Sequence, residues 1–461
     1  MNDIFSRRNT FRSIVTLAWP TVLEQILSTA VSYVDSAMVG RIGARATAAV
    51  GVTSTVNWLI GSSLSALGVG FLAYISREIG ANHPENARRA AAQAVFTTLL
   101  TGIILTILTL SLSMRIPQWM HAGADILQDA GKYFFIIYAP MLFRTAIIIF
   151  GTCLRAAGDT RTPLRVNLLV NIVNIALNYL MIYPTRTVCF FSVNFTMFGM
   201  DLGVIGAAIA SAISFVIGGI GMTIGLFRHP VISPQGTNIL PDGEILRPCL
   251  KVALPCALQR FGTSFGYVAF ASMINALGTT ATAAHSIANT AESAFYIPGY
   301  GMQTAAATLT GNCYGARDKE RMRHLSRMMI VIEIVLMAIS GSILFVSAQK
   351  LMRIFTADEA VVMLGARVLR MVALSEPIYG IAVILEGILQ GVGETKSAFV
   401  FNICGMWGVR ILGTHICLSH LGLGLVAAWG CMIAHNIVLG VLLLIRYLSG
   451  RWNPLNKAEV A

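Results

Sequence analysis

Ala46-Thr47-Ala48-Ala49 returns 235 residues later as Ala281-Thr282-Ala283-Ala284. The same offset carries Ala18, Pro20 and Leu23 onto Ala253, Pro255 and Leu258, and Gly43 onto Gly278. It carries Gly80-Ala81 onto Gly315-Ala316 and Arg88 onto Arg323. It still holds at Leu154/Leu389, Gly158/Gly393, Thr160/Thr395 and Asn167/Asn402. One register kept from the first apolar segment to the fifth marks an internal duplication. In a very apolar chain such a duplication is a mark of secondary transporters, so the repeat bears on function as well as fold.

The surroundings of the repeat are apolar enough to fix the class. The chain has 461 residues, 56% of them hydrophobic and 12% charged, with a mean hydropathy of +0.71. A soluble protein carries about 25% charged residues. A spanning helix needs about 20 apolar residues, and twelve such segments can be drawn. The first six are residues 13–39, 47–76, 90–114, 133–153, 164–183 and 203–226. The second six are 250–275, 281–311, 328–348, 362–388, 398–418 and 423–446. Six spans per copy bring both copies in from the same side. The expected fold is therefore an all-α membrane protein of twelve transmembrane helices in two parallel six-helix repeats. The division reads as an N-terminal six-helix lobe (1–228), a cytoplasmic linker (229–248) and a C-terminal six-helix lobe (249–461).

Net charge +12 would suggest nucleic acid in a soluble protein. Here the basic residues lie in short loops between spans and act as topology signals, so no nucleic-acid partner is expected. With the N-terminus inside, 21 Lys and Arg fall on the cytoplasmic side, eight outside and four within spans. That bias predicts a multi-pass inner (plasma) membrane protein with both termini cytoplasmic. The eight cysteines show no CxxC spacing and read as small hydrophobes in helices. The stretch Thr185–Met200 has no counterpart of equal length in the second copy. It reads as a locally packed outer loop; the alternative is that its Phe190, Phe191, Phe195 and Phe198 cap the outer mouth. Gly391-Val392-Gly393-Glu394-Thr395-Lys396-Ser397 lacks the glycine that must precede Lys in a phosphate loop. Nothing in the chain spends a nucleotide, so transport would run on an ion gradient or a separate ATPase subunit.

Ionisable groups inside spans are costly and mark function by default. Six acids qualify (Glu24, Asp35, Glu292, Glu333, Glu376 and Glu386), as do four bases (Arg144, Arg260, Arg370 and Arg410). Asp35 lies well inside the first span with no Lys or Arg within a helical turn. Such a carboxylate can take up a proton or a cation in its place. Asn171, Asn174 and Asn178 recur at helical spacing on one face of the fifth span, and the sixth offers Ser211 and Ser214. Together these can build an all-oxygen pocket around Asp35, suited to H⁺ or Na⁺. The offset maps Asp35 onto Phe270, and Asn174 and Asn178 onto Val409 and Gly413. The ion pocket therefore belongs to the first copy. The second copy holds a different polar network of Arg260, Glu292, Glu386 and Arg410, expected to pair internally and to gate rather than carry ions. Glu24 and Gln259 stand at equivalent positions and suit inter-helix hydrogen bonds.

Several of these residues also carry a family resemblance. Trp19-Pro20-Thr21-Val22-Leu23-Glu24-Gln25 is followed by Val34-Asp35-Ser36-Ala37-Met38-Val39-Gly40. Leu154-Arg155-Ala156-Ala157-Gly158-Asp159-Thr160 is echoed by Leu389-Gln390-Gly391-Val392-Gly393-Glu394-Thr395, and Gly315-Ala316 follows the eighth span. In this order and at this length the chain resembles the multidrug and toxic compound extrusion (MATE) transporters. It is closer to the DinF-like branch, which keeps an aspartate where Asp35 stands.

The resemblance implies two lobes around a central cavity, rocker-like alternation, and export of amphipathic or cationic compounds in exchange for H⁺ or Na⁺. It implies a cation-coupling site of Asp35, Asn174, Asn178, Ala207 (through its carbonyl) and Ser211. Asn178 stands where many DinF-like members have a second carboxylate, so one carboxylate here balances one monovalent cation. No catalytic residue, cofactor or resident metal is implied beyond that coupling ion, with Na⁺ as the metal Asp35 could take. The partners are then the lipid bilayer and a small amphipathic substrate, with the chain as a monomer. A lipid-linked oligosaccharide flippase is the alternative within the same superfamily. An intramembrane enzyme lacks any HExxH, GxSxG-with-base or paired-Asp motif.

Overall fold

Long apolar runs punctuated by glycine turns set the helix ends. The computed structural model describes residues 10–120, 122–190 and 193–457. The first half opens with α1 (Thr10–Gly40), α2 (Ala44–Gly80) and α3 (Pro84–Ser111). After the short α4 (Arg115–Trp119), Pro140 breaks the fourth span into α5 (Leu127–Tyr138) and α6 (Met141–Ala156), bent by 50°. Proline cannot donate the next helical hydrogen bond, which explains the break. Then come α7 (Arg161–Met181), strands β1 (Pro184–Phe190) and β2 (Val193–Met200), and α8 (Gly203–Phe227).

The second half repeats the order with α9 (Gly243–Asn275), α10 (Thr279–Gly315), α11 (Lys319–Phe355) and α12 (Glu359–Gly391). Its fifth span is composite. It runs through α13 (Thr395–Ile403), a π-helical stretch Cys404–Ile411, α14 (Leu412–His415) and a second π stretch Ile416–His420. The last span is α15 (Leu425–Leu448), followed by the short α16 (Pro454–Lys457). Among the described residues these make twelve spans in two sets of six. Nine are continuous runs apolar enough to cross a bilayer, the composite Thr395–His420 among them, and one is the bent α5–α6 pair. The other two, α9 and α10, are long enough but more polar.

The expected outer loop is instead an antiparallel β-hairpin, with Arg186 facing Met197 and Val188 facing Phe195. Local strand pairing satisfies the backbone hydrogen bonds of this non-helical segment. Phe191, and the side chains of Phe190 and Phe195, lie outside the described residues; Phe198 is exposed.

The repeat is written in the backbone. Gly43 and its mate Gly278 take φ of 136° and 100°, and Gly158 and Gly393 take 86° and 79°. These left-handed values are open mainly to glycine. Packing between the halves is reciprocal: α1 lies against α10, and α2 against α9 and α10. A Cβ on Gly80 would overlap the backbone of Asn312, and one on Gly315 would overlap that of Arg77. Since the offset pairs Gly80 with Gly315 and Arg77 with Asn312, this is one contact made twice across a pseudo-two-fold axis. Small residues let helices approach closely where lipid removes the usual hydrophobic driving force. The lipid side is legible too: Val331, Val335, Ile339 and Ile343 form an exposed apolar stripe on α11.

Candidate functional site

Asp35 projects from the last turns of α1 toward α7. Asn174 and Asn178 lie one turn apart on α7 and so share a face. Asn178 Nδ2 donates to Asp35 Oδ1 at 2.7 Å. The amide of Asn174, turned so that each end meets a complementary group, places its nitrogen 2.9 and 3.0 Å from the two Asp35 oxygens. Its oxygen then accepts from the Ser211 hydroxyl on α8 at 3.2 Å. Ala207, one turn earlier on α8, packs with Met38 and Val39, which follow Asp35 on α1. Asn174 and Asn178 are buried, and Asn178 Oδ1 accepts no hydrogen bond. Among the described residues no Lys or Arg pairs with Asp35. A carboxylate held by neutral amides, beside an idle amide oxygen, is chemically able to take a proton or a small hard cation.

The other first-half acid is differently placed. Glu24 Oε1 accepts from Arg155 Nη2 and from Asn167 Nδ2, each at 2.6 Å. This ties α1 to α6 and α7 through a buried ion pair. Removing one partner of such a pair is costly, which marks it as a structural clasp.

The four second-half residues fall into two groups rather than one. Glu386 on α12 accepts from Gln259 Nε2 at 3.2 Å, Gln303 Nε2 at 3.3 Å and Asn402 Nδ2. The Arg260 charge also acts on it. Arg410, 3% exposed, stacks on Tyr267 and Phe270, and its charge acts on Glu292. The two halves thereby build related clusters. Each holds a carboxylate on the equivalent asparagine, Asn167 for Glu24 and Asn402 for Glu386. The carboxylate has moved from the first helix of one copy to the fourth helix of the other.

Sequence reasoning left two acids unassigned. Glu333 and Glu376 are 0% and 1% exposed, and both Glu333 oxygens and Glu376 Oε2 lack hydrogen-bond partners. The Glu376 carboxyl feels both Glu292 and Glu333. The signal was present, since all three stand in spans with no Lys or Arg within a turn. What the sequence does not show is that α10, α11 and α12 bring them into one electrostatic neighbourhood.

The geometry can be set beside known proteins. The sequence model of the MatE family matches residues 20–180 and 255–416, which are equivalent portions of the two repeats. A probable multidrug resistance protein NorM of Thermotoga maritima is 29% identical over 442 residues, covering 96% of this chain and 93% of that one. The multidrug export protein MepA of Staphylococcus saprophyticus is 23% identical over 468 residues, covering 99% and 98%. Among solved structures, an outward-facing multidrug resistance MATE family transporter of the MOP superfamily superposes with a TM-score of 0.90 at 23% identity, covering 99% of this chain and 98% of that one.

Proposed function

The chain belongs to the MatE family, the multidrug and toxic compound extrusion transporters, and from that premise we propose that it is an ion-coupled antiporter. Membership makes it a membrane transporter and not an enzyme. Its exported compounds are amphipathic, chiefly cationic, and leave in exchange for H⁺ or Na⁺. The lobes are residues 1–228 and 249–461, joined by 229–248, and the monomer sits in the plasma membrane with both termini cytoplasmic. The multidrug names of the relatives favour efflux over the flippase reading.

The observation that carries the coupling proposal is the placement of Asp35 against Asn174 and Asn178 with no basic partner among the described residues. This position also supports the DinF-like reading. A cation loaded there neutralises the carboxylate and relaxes its hold on two α7 amides. The packing of α1, α7 and α8 then changes, and with it the affinity for substrate. Exchange requires this kind of coupling between ion and substrate affinity. Arg260, Glu292, Glu386 and Arg410 hold the second lobe together and gate it. The Gly80/Gly315 contact closes the halves on the side that the basic loops make cytoplasmic. Rocking about that contact gives alternating access.

The test is efflux of a fluorescent cation from everted vesicles, with pH and Na⁺ gradients imposed separately. One gradient should drive efflux, and Asp35→Asn should abolish it while the protein remains folded. Full gradient-driven efflux in that variant would falsify the coupling role.

A further inference from the structure

The first lobe contains a cation that the coupling scheme does not use. Arg144 lies in the first turn of α6, inside the bundle, and among the described residues no Asp or Glu pairs with it. Its Nη1 donates to Asn57 Oδ1 on α2 at 2.5 Å, and Tyr138 Oη donates to the same oxygen at 3.1 Å. The guanidinium carbon sits 5.3 Å from the ring centre of Phe215 and 5.8 Å from that of Tyr138. Two aromatic faces and one amide fix its orientation. The residue is only half-buried, and none of its nitrogens is among the buried polar atoms that lack a partner. Its remaining N–H groups therefore face accessible space.

Arg144 is linked to the Asp35 site through α8 and α5. Phe215 follows Ser211 by one turn on the same face of α8, a rise of about 5.4 Å. Ser211 is bonded to Asn174, which faces Asp35. Tyr133 on α5 lies within electrostatic reach of both Asp35 and Arg144. A negative and a positive group thus stand in one lobe, unpaired with each other, with Phe215 and Tyr138 at the cation and Tyr133 in reach of both. An uncompensated guanidinium inside a membrane bundle is expensive and marks a functional contact. Its planar fork matches carboxylates and phosphates.

The geometry points to Arg144 as the receptor for an anionic group on the exported compound. Asn57 and Tyr138 position the guanidinium, and the compound's cationic end lies toward Asp35. This inference rests on the efflux reading above and names the substrate class for it: amphiphiles that carry an acid group as well as a positive charge. Such a compound still competes with the coupling cation at Asp35, so exchange is preserved.

A matched dye pair tests it. A rhodamine ethyl ester is purely cationic, and the corresponding free acid adds one carboxylate. Binding to the purified protein is followed by fluorescence anisotropy and export by vesicle efflux. Wild-type protein should bind the acid more tightly than the ester. Arg144→Gln should lower the acid-to-ester affinity ratio about tenfold, the scale of one charge-assisted hydrogen bond. Arg144→Lys, which keeps the charge, should hold the ratio within about threefold of wild type. Overturning results are a wild-type preference for the ester, or an unchanged ratio in Arg144→Gln. The wild-type arm decides even if the glutamine variant does not fold. Wild-type export of neither dye under either gradient would instead sink the efflux reading on which the inference rests.

Discussion

The guanidinium of Arg410 lies 4.1 Å over the ring centre of Phe270, the residue that the 235-residue offset pairs with Asp35. The two halves therefore place opposite charge at one equivalent site, a carboxylate in the first and a permanent cation in the second. Under the proposed coupling scheme, a built-in guanidinium would take the place of a mobile ion in the second copy, leaving the ion chemistry to the first.

The Arg410 charge also reaches Glu292, which is 6% exposed, without a direct ion pair among the described residues. Arg410→Gln should strand that carboxylate and destabilise the protein by about 3–5 kcal/mol. The check is the thermal unfolding midpoint in detergent. The midpoint should fall clearly, and adding Glu292→Gln should recover most of the loss. A single variant that melts like wild type would show that Arg410 does not compensate Glu292.

The asparagine contacts permit a graded test. Asn174 faces both Asp35 oxygens, whereas the Ser211 hydroxyl bonds to Asn174 and not to Asp35 among the described residues. Asn174→Ala should reduce the gradient-driven efflux rate about tenfold, the scale of one bond to a charged group. Ser211→Ala, one step removed, should cost less than about threefold. Equal losses in the two variants would mean that α7–α8 packing, and not contact with the carboxylate, sets the rate.

The scaffold was more legible than the site, for a physical reason. Helix spans and their glycine turns are local: Gly43/Gly278 and Gly158/Gly393 could be matched by eye, and each pair has positive φ. Asp35 stood out because no base lies near it in sequence, and the asparagine spacing named its partners. Contacts between distant helices left no such trace. Glu24 with Arg155 and Asn167 joins three spans, and the neighbourhood of Glu292, Glu333 and Glu376 joins three more. The π-helical stretch Cys404–Ile411 that carries Arg410 was also invisible, since no local residue pattern separates a π turn from an α turn, although Gly405 and Gly408 weaken the helix there. The hairpin at 184–200 was missed because strand pairing depends on the partner segment.

The reciprocal glycine contact makes a conformational prediction. A methyl group on Gly315 would meet backbone atoms of α2 that have little freedom to yield. Gly315→Ala should push α2 and α10 apart at that end, at an overpacking cost of about 1–3 kcal/mol. Cys313, 1% exposed and two residues before Gly315, is packed in a core cluster with residues of α1, α11 and α12, so it reports whether a displaced α10 loses that packing. Maleimide labelling of Cys313, read by peptide mass spectrometry, should run about ten times faster or more than in wild type. Gly51→Ala, where a Cβ meets nothing within 4 Å, should leave Cys313 protected. Unchanged labelling in Gly315→Ala would mean that the contact does not hold the halves together.

The connection between the halves should respond to pH through His229. Its Nδ1 accepts from the backbone N–H groups of Val231 and Ile232, each at 3.2 Å. Only an unprotonated nitrogen can accept. Burial pushes the imidazole below its ordinary value of 6.5, against a weaker opposing pull from the Asp159 charge. An opened segment therefore binds a proton more readily than the ordered one. Order in the segment should be complete above that ordinary value and be lost as pH falls through the lower folded value. Hydrogen exchange of residues 229–242, corrected for intrinsic rate, should be faster at about pH 5 than at about pH 7.5. His229→Asn keeps an acceptor oxygen and removes the titration, so its corrected exchange should be nearly the same at both pH values. If the asparagine variant kept the full wild-type dependence, another group would be responsible.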